Sequence, residues 1–319
     1  MRSLFRCLAA CLVLAAMAAN AETYPARPIT IVVPFAPGSG TDSIARIIGQ
    51  YLSVALNQSV VIENKVGASG VLAATYVARA APDGYTLLMA TNSTHSANPY
   101  LFKSLGYDPV KDFAPVARAG SYVFMLVINP DVPAKTLPEL IAYAKANPSK
   151  LTYASGNTTG IVAGETLKAR GGVDILHIPY KSTPPALNDV IGGRVSMMFI
   201  DLAPGLEHVR AGTLRALAVT TKDRSALLPD LPSLHEAGIP GYNVTSWAGL
   251  FAPAGTPKEV VDRLNAEVQK IIANPEAKSR IAVTGFDAFS GPPETLAVFA
   301  QSELVNWAKL IKESGIEPQ

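Results

Sequence analysis

Residues 34–42 read Pro-Phe-Ala-Pro-Gly-Ser-Gly-Thr-Asp, a run of small and hydroxylated residues with no basic side chain. The chemistry open to such a run is anion capture. Peptide N–H groups left uncommitted at the start of a helix hold a small anion without lysine or arginine. Phe35, Ala36, Gly38, Ser39, Gly40 and Thr41 are the candidate contacts, and capping of a helix by Thr41 or Asp42 is the plainer role. No Gly-Lys-Ser/Thr follows, so the run is not a nucleotide P-loop. Four further polar turns resemble it. Asn64-Lys65-Val66-Gly67-Ala68-Ser69-Gly70 offers Asn64 and Ser69, and Thr91-Asn92-Ser93-Thr94 offers Thr91 and Asn92. Ser155-Gly156-Asn157-Thr158-Thr159-Gly160 offers Ser155, Gly156, Thr158 and Thr159 and carries the strongest binding signal of its half. Pro179-Tyr180-Lys181-Ser182 adds Tyr180 and Lys181, the lysine being either an anion contact or a solvated strand end. Asp201 either accepts a ligand amine or hydroxyl or caps the helix that follows.

Catalytic signatures are missing from this pattern. There is no Gly-x-Ser-x-Gly elbow and no His-Glu-x-x-His. The four histidines, His95, His177, His208 and His235, show no metal-binding spacing. Cys7 and Cys11 both fall in an amino-terminal export segment, so the mature chain is expected to hold neither disulfide nor thiolate nucleophile. The expectation is therefore a binding protein with no catalytic residue, no metal and no cofactor. A Ser/His/Asp set assembled only in three dimensions keeps a periplasmic hydrolase open as an alternative.

The elements that must position these turns alternate regularly. Ile29–Val33, Val60–Glu63 and Thr86–Ala90 read as strands, with helices Ser43–Leu56 and Gly70–Ala81 between them. A second set runs from strand Tyr122–Ile128 through helix Leu137–Ala146, strand Leu151–Ala154, helix Ile161–Arg170 and strand Ile175–Ile178. Helix Pro185–Ile191 and strands Val195–Ile200 and Leu214–Thr220 complete it. A strand near Val244–Ala252 and helices Pro257–Ile272, Pro275–Val283 and Pro293–Ser314 close the chain. This is the grammar of α/β lobes, each a mostly parallel sheet flanked by helices. Two such sets imply two lobes: 22–121 with 223–319, and 122–222. Runs Tyr122–Ile128 and Leu214–Thr220 are expected to cross between them as a hinge. One small-residue turn per lobe then places two helix starts across a cleft, where α/β folds bind ligands. Trp247 and Trp307 read as packing residues.

Residues 1–21 have the form of a signal peptide: Arg2 and Arg6, an apolar core Leu8–Ala18, and Ala19-Asn20-Ala21 before a cut after Ala21. The chain is thus expected to be exported. Of 27 basic and 25 acidic residues, cleavage removes Arg2 and Arg6, and the mature charge is near zero. A neutral chain has no general field for nucleic acid or an anionic membrane, so anion affinity must be local.

The chain resembles the tripartite tricarboxylate transporter solute receptors, the Bordetella uptake gene or TctC-like extracytoplasmic binding proteins. The resemblance covers essentially the whole mature chain and rests on ordered matches. They include Val33-Pro34-Phe35-Ala36-Pro37-Gly38, Pro82-Asp83-Gly84-Tyr85-Thr86-Leu87, Asp112-Phe113-Ala114-Pro115-Val116 and Arg215-Ala216-Leu217-Ala218-Val219-Thr220. Gly249-Leu250-Phe251-Ala252-Pro253-Ala254-Gly255-Thr256-Pro257 and Pro179-Tyr180-Lys181 add to them. It implies a two-lobe periplasmic binding protein, type II-like and monomeric, that closes on a small carboxylate. It also implies delivery to membrane permease subunits, one large and one small. The gripping loops of the family correspond here to Phe35–Thr41 and Ser155–Thr159. Ser39, Ile161 and Ser182 stand where family members often have Gly, His and Gly, which leaves the ligand open among mono-, di- and tricarboxylates, acidic amino acids and aromatic acids. A sensory receptor for a membrane kinase and a binder of uncharged solutes are the remaining alternatives.

Overall fold

The computed structural model describes residues 24–318; the expected export segment lies outside them. Strand β1 (Ile29–Val33), helix α1 (Gly40–Leu56), β2 (Val60–Asn64), α2 (Val71–Ala78) and β3 (Thr86–Thr91) alternate as the hydrophobic pattern predicts. Helix α1 shows why. Ser39 caps its start, Ile44, Ala45, Ile48, Leu52 and Leu56 are buried at helical spacing, and Asn57 ends it in the left-handed region (φ 49°). A π-helical turn (Ser93–Ala97) and α3 (Asn98–Leu101) lead to β4 (Phe113–Tyr122).

The chain then enters the second half: β5 (Phe124–Ile128), α4 (Leu137–Ala146), β6 (Thr152–Ser155), α5 (Thr158–Gly171) and β7 (Leu176–Pro179). Helix α6 (Thr183–Ile191), β8 (Met197–Asp201), α7 (Leu202–Arg210) and β9 (Arg215–Val219) follow. The first half is completed by β10 (Ser246–Pro253), α8 (Lys258–Ala273), α9 (Pro275–Ala282), β11 (Phe286–Ala288) and α10 (Pro293–Glu313).

Two sheets result, ordered β11-β4-β10-β3-β1-β2 and β7-β6-β8-β5-β9. They are mixed, where the alternation predicts mostly parallel ones. β2-β1-β3 and β7-β6-β8 are parallel, but β10 runs against β3 and β4, and β5 runs against β8 and β9. The reason is the crossing itself. β5 and β10 arrive from the opposite half, so they begin at the boundary where β8 and β3 end. The expected continuous strand Tyr122–Ile128 is broken at Val123, with Tyr122 ending β4 in the first sheet and Phe124 opening β5 in the second. The other expected crossing strand, Leu214–Thr220, stays in the second sheet because β9 pairs along β5; the chain returns through residues 220–245. Trp247 and Trp307 are packing residues, 1% and 2% exposed.

Candidate ligand-binding cleft

The loops after β1 and β3 meet the turns after β6 and β7 across the boundary between the sheets. The Ala36 N–H donates to Ser182 Oγ (3.0 Å), Asn92 Nδ2 to Thr159 Oγ1 (2.9 Å) and Thr158 Oγ1 to Ser93 Oγ (2.6 Å). Ser246 Oγ donates to Asn92 Oδ1. Asn92, Ser93, Thr158, Thr159 and Ser246 are buried, so each of these polar groups needs its partner.

The loop after β1 is organised by Asp42. Its carboxylate accepts from Arg46 Nε (2.9 Å), Asn64 Nδ2 (2.9 Å) and the Gly38 N–H (3.0 Å). Burial works against the charged form, yet these hydrogen bonds outweigh it and hold the Asp42 carboxyl below its ordinary range. Asn64 also donates to the Phe35 carbonyl (2.8 Å), tying β2 to the loop. The amides of Ala36 and Gly38, expected as anion contacts, are therefore committed to Ser182 and Asp42. Gly38, with φ +82°, supplies the turn that makes this possible.

Two cavities lie along the cleft. The inner one, about 20 Å³, is lined by Phe35, Thr41, Thr91, Asn92, Thr159 and Asp201, with Tyr122 and Ser246. That is room for about one water. The outer one, about 360 Å³, is lined by Ser69, Ser155, Thr158, Tyr180 and Lys181, together with Leu101, Phe102, Ile161 and His177. Asn157 faces both. Ala36, Gly38, Ser39, Gly40, Asn64 and Gly156 line neither. Two of these are glycines for a steric reason. A Cβ on Gly40 would lie 2.1 Å from Asp201 Oδ1, and one on Gly156 would lie 2.3 Å from the Ser182 and Thr183 backbone.

Asp201 is the charged group of the inner cavity. Its Oδ1 has no hydrogen-bond partner, and burial pushes its carboxyl up to about 7. In the outer cavity α5 presents its first turn. Asn157 Oδ1 accepts from the Gly160 N–H (2.9 Å), and the preceding amides lack helical acceptors by geometry. Ser155 Oγ is 2.6 Å from His177 Nε2, and Tyr153 stacks on the imidazole with ring centroids 4.6 Å apart. Burial lowers the His177 pKa and keeps the ring neutral. The nearby carboxylate, Glu165, is engaged by the Tyr153 hydroxyl (2.6 Å) and Lys168 (3.0 Å), and among the described residues no carboxylate hydrogen-bonds the His177 ring. Lys181 is exposed at the mouth. The Tyr180 ring forms wall, while its hydroxyl is held by Asp189.

Tyr122, Ser246, Leu101, Phe102 and Asn157 were not among the sequence candidates. The first two end strands that only the crossing brings together. Leu101 and Phe102 carry no polar signal. Asn157 lies inside the Ser155–Gly160 turn and was legible there as a cap.

Comparison with known proteins supplies the family. A family model described as tripartite tricarboxylate transporter family receptor matches residues 44–316. A Rhodopseudomonas palustris protein, Rpa4515, solved with adipate, superposes with TM-score 0.91 at 36% identity over 93% of this chain and all of that one. The periplasmic binding protein BugD gives 0.88 at 37% identity, again over 93% and 100%. MatC from Rhodopseudomonas palustris, with bound malate, gives 0.84 at 35% identity over 90% and 100%. Among the described residues no helix is long and apolar enough to cross a membrane. On this fold, cleft and match, the chain belongs to the tripartite tricarboxylate transporter receptor family, a family of solute-binding proteins.

Proposed function

We propose that this chain is a periplasmic receptor that captures a small carboxylate between its lobes and delivers it to the membrane permease of a tripartite transporter. The observation that carries the reading is the outer cavity: 360 Å³ between the halves, with the α5 start and the hydroxyls of Ser155 and Thr158 in its wall. Export by cleavage after Ala21, action as a monomer, and lobe boundaries of 22–121 with 223–319 and 122–222 belong to the same reading. Ser155 and the α5 amides, that of Thr158 included, receive the carboxylate, Lys181 meets it at the mouth, and Ser69 approaches from the first lobe. Adipate in Rpa4515 and malate in MatC support a carboxylate as the cargo.

The energetics allow it. A hydrogen bond to a charged group contributes about 1.5–3 kcal/mol. Four to six of them total roughly 6–18 kcal/mol, and the upper part of that range covers the ~8 kcal/mol of a micromolar complex together with a moderate association cost. Titration calorimetry of the purified protein against a panel of small carboxylates should give one-to-one binding without product, weakened about ten-fold or more by Ser155→Ala. Absence of heat with every acid, or turnover of an ester or amide, refutes the proposal.

A further inference from the structure

The walls of the outer cavity specify more than a carboxylate. Leu101 and Phe102 from the end of α3, Ile161 from α5, Pro179 from β7 and Ile316 from the segment after α10 make much of its lining apolar. The polar groups Ser69, Ser155, Asn157, Thr158 and His177 are interspersed among them, Ser155 pairing with Pro179 across β6 and β7 and Ile161 following Thr158 by one turn of α5. Four of these already have partners: Asn157 Oδ1 is taken by the Gly160 N–H, Thr158 Oγ1 by Ser93 Oγ, and Ser155 Oγ and His177 Nε2 by each other. Lys181 is the only lysine or arginine among the lining residues, and Glu317 lines the same cavity with opposite charge. The α5 amides, Ser69 and Lys181 are left to receive one carboxylate, and the committed side chains offer no second polar pocket for hydroxyl or carboxylate groups farther along a ligand. A buried hydroxyl set against leucine, phenylalanine and isoleucine loses its water without gaining a partner. Methylene or ring carbons there gain by leaving water. The volume corresponds to about a dozen waters, at the lower end of small-molecule pockets. A three- or four-carbon acid leaves much of it unfilled.

We infer that the cargo is an acid whose body beyond its first carboxylate is apolar, an aliphatic chain or an aromatic ring, rather than a short hydroxylated diacid. The inference rests on the reading of this cleft as a carboxylate site. The acid group lies at the α5 start, and the body runs along Phe102, Ile161 and Ile316. Lining by Ile316 means that the segment following α10 takes part in selecting the ligand.

Calorimetry with propanoate, butanoate, pentanoate, hexanoate and benzoate, alongside malate and succinate, tests this. The expected result is affinity rising about four-fold per added methylene, equal to about 0.8 kcal/mol each, up to the length that fills the cavity. Benzoate and hexanoate should exceed malate by at least ten-fold. Ile161→Asn and, separately, Phe102→Ser should flatten the dependence on chain length; Ile161 is partly exposed on its helix, so the first variant keeps its fold. Affinity that is flat or falls with chain length, or malate binding tighter than hexanoate, overturns the inference while leaving carboxylate capture standing. No heat with any acid overturns both.

Discussion

Replacing Asp201 with asparagine isolates the cost of a buried charge at the boundary between the lobes. The side chain is 4% exposed, one oxygen is unpartnered, and burial raises its carboxyl from 3.8 to about 7. One pKa unit corresponds to about 1.36 kcal/mol, so the ionised form carries a penalty of the order of 4 kcal/mol. Opposing this is the start of α1, beside which Asp201 packs at Gly40; a helix N-terminus returns only about 0.3–1 kcal/mol to an anion. Desolvation wins. Because the folded pKa lies above the unfolded one, the folded protein binds more protons between those values. The contribution of Asp201 to stability is full below pH 4 and is lost as pH rises toward 7. The amide introduced by Asp201→Asn cannot ionise, so the variant should melt with the wild type near pH 4 and above it at pH 8.5. At roughly 2 °C per kcal/mol for a chain of this size, the expected gap at pH 8.5 is up to about 8 °C. Opening of the cleft rehydrates Asp201 without unfolding the lobes, so part of the effect should appear as a larger radius of gyration of the wild type at high pH in small-angle scattering. Thermal melts of both proteins from pH 4 to 8.5 decide the matter. A gap that does not change with pH refutes the argument.

Gly40→Ala drives a methyl group into Asp201, with 2.1 Å available, so the halves should be held apart. Calorimetry with the best carboxylate found should then show at least a ten-fold loss of affinity, with a melting temperature lowered by only a few degrees. Asn92→Ala removes the bond to Thr159 and the acceptor for Ser246, leaving buried hydroxyls unpaired. Urea unfolding should register a loss of about 1–3 kcal/mol.

Most elements were legible because their apolar periods were clean; helix α4 matches its predicted span, Leu137–Ala146. Strand β4 was not, since Pro115, Arg118 and Gly120 interrupt the pattern. The structure accommodates them where the pairing with β10 shifts register. The π-helical turn Ser93–Ala97 reads as a polar loop, yet all five residues are buried. In the cleft, runs of small and hydroxylated residues pointed to loops that meet across the boundary between the sheets, because few other sequences bring backbone so close to a partner. Which amides stay free was not legible. Gly38 donates to Asp42, and Ala36 donates to a serine 146 residues away. Most of the apolar lining was equally hidden, because Leu101, Phe102 and Ile316 look like ordinary core until the chain brings them to one cavity.

The two links between the halves differ sharply in slack. Between β4 and β5 only Val123 lies outside a strand, and its neighbours on both sides are locked into ladders. The return spans residues 220–245 and is pinned at its base, where the Val244 N–H donates to the Thr220 carbonyl (3.0 Å). A taut tether beside a loose strap makes a door with one pivot: any swing of the lobes turns on the backbone torsions around Val123, and the longer strand of chain follows.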